Sequence, residues 1–186
     1  MRIIAGMARG IPLNSPTSDK TRPTSDRVKE AIFSALDNHI DIEGANIIDL
    51  FAGTGALGLE AISRGATSCT FVEKAQDMCK VIRSNIEKVE KAVNQFETTA
   101  PSFEVINKDV SSIGDSSKYD IVFCDPPYER EFLTLNEFAK PDGVIVYETS
   151  KAKFESLKEF LSNTEIIYSK TMSDTGVVIA TLPASN

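Results

Sequence analysis

The spacing of apolar residues changes early in the chain, and each change predicts a different element. Two short apolar runs, at residues 3–5 and 11–13, flank the pair Arg9-Gly10, which is the pattern of a short hairpin. Apolar residues then recur at intervals of three and four, as in an amphipathic helix, at Val28, Ala31, Ile32, Ala35 and Leu36. Either Ser25 or Asp26 can cap that helix. We therefore expect an N-terminal hairpin or arm over residues 1–24 and a main domain over residues 25–186.

From residue 45 onward, short apolar runs alternate with helical patterns. The apolar runs predict strands near residues 47–51, 69–73, 103–107, 121–124, 144–147, 165–169 and 177–182. Helical patterns predict helices near residues 54–64, 78–89 and 151–161. The polar stretch 91–102 is predicted to be a loop, and Pro141-Asp142-Gly143 a turn before the fifth strand. This alternation predicts an α/β fold with a doubly wound, mostly parallel seven-stranded sheet, and the last two strands should form an antiparallel hairpin at its edge.

Composition narrows the class of protein. A chain of 186 residues is long enough for one well-cored domain. No apolar run approaches the roughly 18 to 20 residues that a membrane span requires, and the apolar stretch at the N-terminus is too short for a signal peptide, so we expect a cytoplasmic protein. Three scattered cysteines and a single histidine, His39, argue against a disulfide framework and against a zinc site. No metal is therefore expected.

Charge is unevenly distributed along the chain. The formal net charge is −7, which argues mildly against a nucleic-acid partner. Residues 1–30, however, carry six basic and three acidic side chains, a local charge of +3, so the remainder carries −10. A basic segment on an acidic body is compatible with an arm that contacts phosphates, and equally with an ordinary solvated surface.

The first predicted strand runs into a glycine-rich turn. Gly53, Gly55 and Gly58 satisfy the spacing GxGxxG in the strand–turn–helix context that this pattern needs. Glycine allows a ligand to approach the backbone at the carboxyl end of the first strand, where open α/β sheets bind ligands. Gly58 and Ala61 would also let the following helix pack closely on the sheet. The alternative interpretation is a tight turn with no ligand.

Acidic residues at three predicted strand ends bear on the identity of this ligand. Asp49, four residues before Gly53, disfavours a nearby pyrophosphate and favours a ligand with a cationic or amine end, such as S-adenosylmethionine. Glu73, at the end of the second strand, suits ribose hydroxyls and is compatible with either a dinucleotide or S-adenosylmethionine. Asp109, after the third strand, could bind an adenine amino group. Because carboxyl ends of parallel strands share one edge, these acids should lie close together.

The fourth strand ends in Asp125-Pro126-Pro127-Tyr128. Two prolines cannot continue a ladder of hydrogen bonds, so this segment must leave the sheet. Asp125 and the Pro126 carbonyl could accept both hydrogens of a base amine and favour attack by its lone pair on a methyl group, while Tyr128 stacks on the base. Such a base must be turned out of its helix. Taken alone, the segment is equally compatible with an ordinary turn.

These motifs together resemble the bacterial RsmD-type family, which methylates the N2 amine of a guanine in small-subunit ribosomal RNA. The resemblance covers nearly the whole chain. It includes two N-terminal signatures and three cofactor or catalytic motifs, at residues 1–10, 21–31, 49–61, 71–74 and 125–128. The last motif is shared with amino-directed DNA adenine methyltransferases, so the N-terminal signatures are the more diagnostic part.

The resemblance implies a Rossmann-like class I methyltransferase fold and specific roles. S-adenosylmethionine would be held by Asp49, Phe51, Gly53, Gly55, Glu73, Lys74, Asp109 and Val110. The guanine would be held by the catalytic residues Asp125, Pro126, Pro127 and Tyr128, and the RNA by Arg9, Arg22, Thr24 and Arg27. Three features depart from the family pattern: the length of loop 91–102, the 12 residues between Tyr128 and Pro141, and the acidic body. We expect a monomer that acts on small-subunit rRNA or the ribosomal subunit.

Three other functions remain open at this stage. One is an amino-directed adenine-N6 methyltransferase acting on DNA or RNA. Another is a nicotinamide-dependent oxidoreductase, which the GxGxxG spacing would suit but which leaves Asp49 beside a pyrophosphate and gives residues 125–128 no role. The third is a non-catalytic RNA-binding module on a degenerate methyltransferase fold, against which the intact motifs argue.

Overall fold

The computed structural model describes residues 1–15, 25–96, 100–114 and 119–183. Within them lie the strands β1 (Asn46–Leu50), β2 (Ser68–Val72), β3 (Ser102–Ile106), β4 (Tyr119–Cys124), β5 (Ala139–Ser150), β6 (Glu165–Met172) and β7 (Thr175–Thr181). The helices of the same residues are α1 (Asp26–Leu36), α2 (Ala56–Ser63), α3 (Gln76–Val93) and α4 (Phe154–Phe160), with 3-10 turns at Val110–Ser112 and Lys151–Lys153. In this described part, no helix is long and apolar enough to cross a membrane.

The strands form a single sheet in the order β3-β2-β1-β4-β5-β7-β6. The first five strands pair in parallel, and β7 runs antiparallel to both β5 and β6. The predicted fold class, a mostly parallel α/β sheet with a closing antiparallel hairpin, is therefore confirmed. Because β1 to β5 are parallel, their carboxyl ends meet at one edge of the sheet.

Helices cover both faces of the sheet, as alternating strand side chains require. Ile47 and Val146 point to the face covered by α1, α2 and α3, and both belong to one apolar core. Ile48 and Tyr147 point to the opposite face, where α4 and the segment before β5 cover a second core. The cap predicted for α1 is Ser25, whose hydroxyl accepts the Val28 N–H at 3.2 Å.

Two local predictions need correction. Helix α3 continues to Val93, so the first three residues of the predicted loop 91–102 are helical. The turn predicted at Pro141-Asp142-Gly143 lies inside β5, where it forms a bulge: Tyr119 of β4 pairs with Ala139, but Ile121 pairs with Val144. Residues 140–143 of β5 lie opposite the single residue Asp120 of β4, and Asp142 has φ 61°.

The N-terminal hairpin predicted from residues 1–13 is present and packs on α2. The Ile3 N–H donates to the Ile11 carbonyl at 3.0 Å, and the Gly10 N–H donates to the Ile3 carbonyl at 2.9 Å. Glu60 of α2 accepts the backbone N–H groups of Ile4 and Ala5 at 2.8 and 2.9 Å. Ile3 is fully buried, so the hairpin shares the core of the sheet domain.

Candidate active site

A cavity of about 840 Å³ opens at the carboxyl edge of the sheet. Its volume lies within the range of small-molecule and cofactor sites, about 300–1,000 Å³. One half adjoins the carboxyl ends of β1, β2 and β3. The other half adjoins the carboxyl ends of β4 and β5 and the first residue of β7. Of the residues predicted from the sequence, those that line it are Phe51, Gly53, Glu73, Lys74, Asp109, Val110, Asp125, Pro126, Pro127 and Tyr128. Residues from three motifs far apart in the chain therefore share one space.

The glycine-rich turn after β1 is held in place by the Glu73 carboxylate and by close packing of α2 on the sheet. Glu73 accepts the Gly53 N–H at 3.0 Å and the Ala75 N–H at 2.7 Å, which ties the end of β2 to the turn after β1. Gly55 begins α2 with φ 77°, a conformation that favours glycine. A Cβ at Gly58 would lie 2.5 Å from the Cys69 Sγ, so the predicted close approach of helix and sheet is confirmed.

Asp49 lies beneath this turn and does not line the cavity. Its carboxylate is only 2% exposed and accepts the Gly58 N–H at 3.0 Å. Burial raises the pKa of Asp49 to about 7; the Gly58 hydrogen bond opposes this shift, and the nearby Asp125 and Glu73 carboxylates add to it. Gly55 is also absent from the cavity wall within the described residues. Asp49 and Gly55 therefore fix the conformation of the turn from the side away from the cavity.

Asp49 should make folding stability fall between pH 5 and pH 8. The folded protein keeps a proton on this carboxyl up to about pH 7, whereas the unfolded chain loses it near 3.8, so the folded state binds more protons in that window. We expect denaturant unfolding to show a loss of about 2 kcal/mol from pH 5 to pH 8 that Asp49→Asn removes. The exposed Asp77→Asn is the matched control. An unchanged pH dependence in Asp49→Asn would contradict the assignment.

Asp109 is held by two cations, one of which the sequence interpretation did not identify. Arg130 Nη2 lies 3.1 Å from Asp109 Oδ1, and Lys74 Nζ lies 3.2 Å from Oδ2. The Arg130 hydrogen bond, followed by those from Ser111 and Lys74, holds the pKa of Asp109 well below its usual range. The Arg130 guanidinium also lies 5.0 Å from the centre of the Phe51 ring. The sequence did contain a signal for this second cation, because Arg130 lies only two residues after Tyr128.

The segment after β4 leaves the sheet at Asp125, as the two prolines predict. Its backbone turns back on itself, because the Pro127 carbonyl accepts the Arg130 N–H at 2.9 Å. The Tyr128 hydroxyl lies 3.2 Å from the Thr175 hydroxyl at the start of β7, which fixes the ring from across the cavity. Asp125 and Tyr128 are half-buried, so both can be reached from the cavity.

Of the residues predicted to bind RNA, the structure describes Arg9 and Arg27, and neither lines the cavity. Arg9 is exposed in the hairpin turn, and Arg27 is exposed on the first turn of α1. Ser25 and Val28, on either side of Arg27 in the sequence, do line the cavity. Arg22 and Thr24 lie outside the described residues. Sequence reasoning also missed Glu148, which lines the half of the cavity beside Tyr128.

The chain is similar to known proteins over most or all of its length. The family model described as conserved hypothetical protein 95 matches residues 1–181. Ribosomal RNA small subunit methyltransferase D from Haemophilus influenzae is 34% identical over 160 residues, which cover 82% of this chain and 80% of that protein. YlbH from Bacillus subtilis is 31% identical over 186 residues, covering 96% of this chain and 97% of its own. The solved structure of yhhF from Escherichia coli has a TM-score of 0.79 at 30% identity, and the match covers 100% of this chain and 99% of that chain.

The family match spans nearly the whole chain, from the N-terminal hairpin to the last strand of the sheet. The resemblance suggested by the sequence motifs is therefore confirmed. This chain belongs to the conserved hypothetical protein 95 family, which is the RsmD family.

Proposed function

We propose that this protein transfers a methyl group from S-adenosylmethionine to the exocyclic N2 amine of a guanine in small-subunit (16S) ribosomal RNA. Membership of the RsmD family supports S-adenosylmethionine-dependent methylation of ribosomal RNA. The observation that carries the proposal is that residues 125–128 and the turn at Gly53 line one cavity. A methyl donor held in one half and an amine held in the other would meet in a fixed geometry, which is the main source of catalysis in such a reaction.

The half of the cavity beside β1, β2 and β3 fits S-adenosylmethionine. Phe51, Met78 and Val110 offer apolar surface for an adenine ring, and Asp109 lies beside them as an acceptor for its amino group. Each Glu73 oxygen already accepts one backbone N–H and keeps further lone pairs for ribose hydroxyls. When bound, S-adenosylmethionine supplies an electrophilic methyl group on a sulfonium. Asp49 and Gly55 would act indirectly, by holding the turn in shape.

The other half would position and activate the guanine. The Asp125 carboxylate and the Pro126 carbonyl would each accept one hydrogen of the N2 amine, which orients its lone pair toward the methyl group. The Asp125 charge would stabilise the positive charge that develops on nitrogen. The Tyr128 ring, held by Thr175, would stack on the base at about 1–3 kcal/mol. A base in this cavity must first be turned out of its helix.

The basic N-terminal residues are proposed to contact RNA phosphates outside the cavity. Arg9 and Arg27 are exposed, and the first 30 residues carry a local charge of +3 on an otherwise acidic chain. Such contacts position the RNA without reading its sequence. We include Arg22 and Thr24 in this surface on sequence grounds alone.

The proposed activity can be tested directly on ribosomal particles. Purified protein and labelled S-adenosylmethionine are incubated with small-subunit particles that lack the modification, and with their free rRNA. Mass analysis of the digested RNA should detect N2-methylguanosine, because residues 125–128, the proposed amine-binding clamp, line the same cavity as the proposed cofactor residues. Calorimetry should show binding of S-adenosylmethionine and no binding of NADH.

Two outcomes would overturn this assignment in different ways. N6-methyladenosine as the product would replace guanine by adenine while keeping the class of enzyme. Binding of NADH without binding of S-adenosylmethionine would remove the methyltransferase assignment altogether.

A further inference from the structure

Glu148 is a further carboxylate in the half of the cavity that contains Tyr128, beside Asp125 and the exposed Glu129. It belongs to β5, is only 5% exposed, and lines the cavity together with Asp125. Cys124 of β4 pairs with Tyr147 of β5, so Asp125 and Glu148 each lie one residue beyond a paired position on neighbouring parallel strands. Such strands are about 4.8 Å apart. The two acids are therefore neighbours across the wall of one cavity.

The strand fixes where the Glu148 side chain points. Successive side chains alternate between the faces of a sheet, so Glu148 shares a face with Val146, which packs in the core beneath α1. Ser25 and Val28, at the start of α1, line the cavity on that same side. The Glu148 backbone is also paired with Val177 of β7, which places this carboxylate on a rigid element and not on a loop.

The bases that carry an exocyclic amine differ in the ring atom beside it. In guanine the N2 amine adjoins N1–H, which is a donor. In adenine and cytosine the amine adjoins a ring nitrogen without hydrogen, which is an acceptor. A carboxylate is an acceptor only, so beside the amine it attracts N1–H of guanine and is repelled by the corresponding ring nitrogen of the other two. The N3 atom on the other side of the guanine amine is an acceptor, so the carboxylate must lie on the N1 side. An acid placed beside an amine-binding clamp is therefore suited to read guanine.

We infer that Glu148 is a specificity-determining residue that accepts the N1–H of the target guanine and excludes adenine and cytosine. This inference rests on the proposed function and deepens it by assigning the choice of base. Asp125, the Pro126 carbonyl and Glu148 would then supply one acceptor for each of the three hydrogens on that edge of guanine. The residues of the Asp125–Tyr128 segment recognise only an amine on a ring, whereas Glu148 distinguishes the ring.

The test separates base recognition from catalysis by measuring nucleotide binding. Equilibrium binding of GMP and AMP is followed by NMR for the wild-type protein, Glu148→Gln and the exposed Glu165→Gln, which removes the same charge outside the cavity. Wild type and Glu165→Gln should prefer GMP, and Glu148→Gln should lose about 10-fold of that preference, because one good base contact gives about that discrimination. The glutamine amide can donate to N1 of adenine, so the remaining preference should move toward AMP.

Further measurements distinguish a loss of base recognition from a loss of folding or packing. Thermal unfolding and S-adenosylmethionine affinity of Glu148→Gln should match those of the wild type. Glu148→Asp keeps the charge one methylene farther away and should retain part of the GMP preference. Equal loss of preference in Glu148→Gln and Glu148→Asp would indicate a packing role and overturn the inference, as would a wild-type protein that binds GMP no better than AMP.

Methyl transfer to unmodified small-subunit particles distinguishes this inference from the proposed function. If the wild type yields no N2-methylguanosine, the proposed function fails, and nucleotide binding still decides the role of Glu148. If the wild type yields N2-methylguanosine, Glu148→Gln should lower kcat/KM about 10-fold relative to Glu165→Gln. Equal kcat/KM for these two variants would overturn the inference and leave the proposed function standing.

Discussion

Asp125→Ala should lower kcat for methyl transfer by about 10²- to 10³-fold while leaving the affinity for S-adenosylmethionine within a few-fold of the wild type. In the proposed function, the variant removes both an acceptor for the N2 amine and a negative charge that stabilises the developing positive charge on its nitrogen. Asp125 lies in the half of the cavity beside β4, whereas the proposed cofactor residues lie beside β1, β2 and β3. Single-turnover transfer of labelled methyl to small-subunit particles, with calorimetry of cofactor binding, measures both quantities.

The controls for this variant separate charge from shape. Asp125→Asn keeps the size of the side chain and one acceptor but loses the charge, so its kcat should also fall. Glu131→Ala removes an exposed acid six residues away and should leave kcat unchanged. Methyl transfer by Asp125→Ala at the wild-type rate would exclude the proposed clamp. Equal loss of cofactor affinity and kcat would indicate instead that Asp125 shapes the whole cavity.

Much of the fold could be predicted because local pattern and global architecture agree. The apolar runs that became β1 and β2 are buried on both faces, as parallel strands between helices must be, so they appear as continuous apolar segments. Element ends were less predictable. Helix α3 extends to Val93, because Val93 lies four residues after Val89 on the same apolar face and is buried in the same core.

The candidate site was predicted less evenly, because the interpretation of the sequence placed acids at strand ends without following the alternation of side chains along each strand. Asp49 was expected to face the ligand, but it shares a face with Ile47 and points toward α2, where it accepts the Gly58 N–H. The period of two in a strand contained that information. Glu148 comes directly after the apolar run 144–147, as Glu73 comes after 69–72. Choosing acids that follow an apolar run would therefore have identified Glu148 as well. The position of Arg130 depends on the backbone turn between Pro127 and Arg130, which no local sequence pattern predicted.

A buried ion pair joins the N-terminal hairpin to the body of the protein. Lys29 Nζ of α1 lies 3.1 Å from Glu60 Oε2 of α2, and both side chains are fully buried. Lys29 also donates to the Arg2 carbonyl, and Glu60 accepts the backbone N–H groups of Ile4 and Ala5. One carboxylate thus satisfies groups from the hairpin and from α1 at once. Removing it leaves the buried Lys29 ammonium without its charged partner and two backbone donors without their acceptor.

Glu60→Ala should therefore lower the free energy of unfolding by about 3–5 kcal/mol, the usual effect of breaking a buried pair at one partner. Denaturant unfolding at pH 7 measures this, and Glu60→Gln should be less damaging because it keeps an acceptor for the hairpin. The matched control is Asp37→Ala, which removes a more exposed partner of Arg64 3.2 Å away and should change stability by less than about 1 kcal/mol. Similar small losses in Glu60→Ala and Asp37→Ala would show that the hairpin is held by its apolar contacts, through Ile3 and Ala8, and not by the ion pair. Because the hairpin carries Arg9, a large loss would also mean that the proposed RNA-facing surface depends on Glu60 for its position.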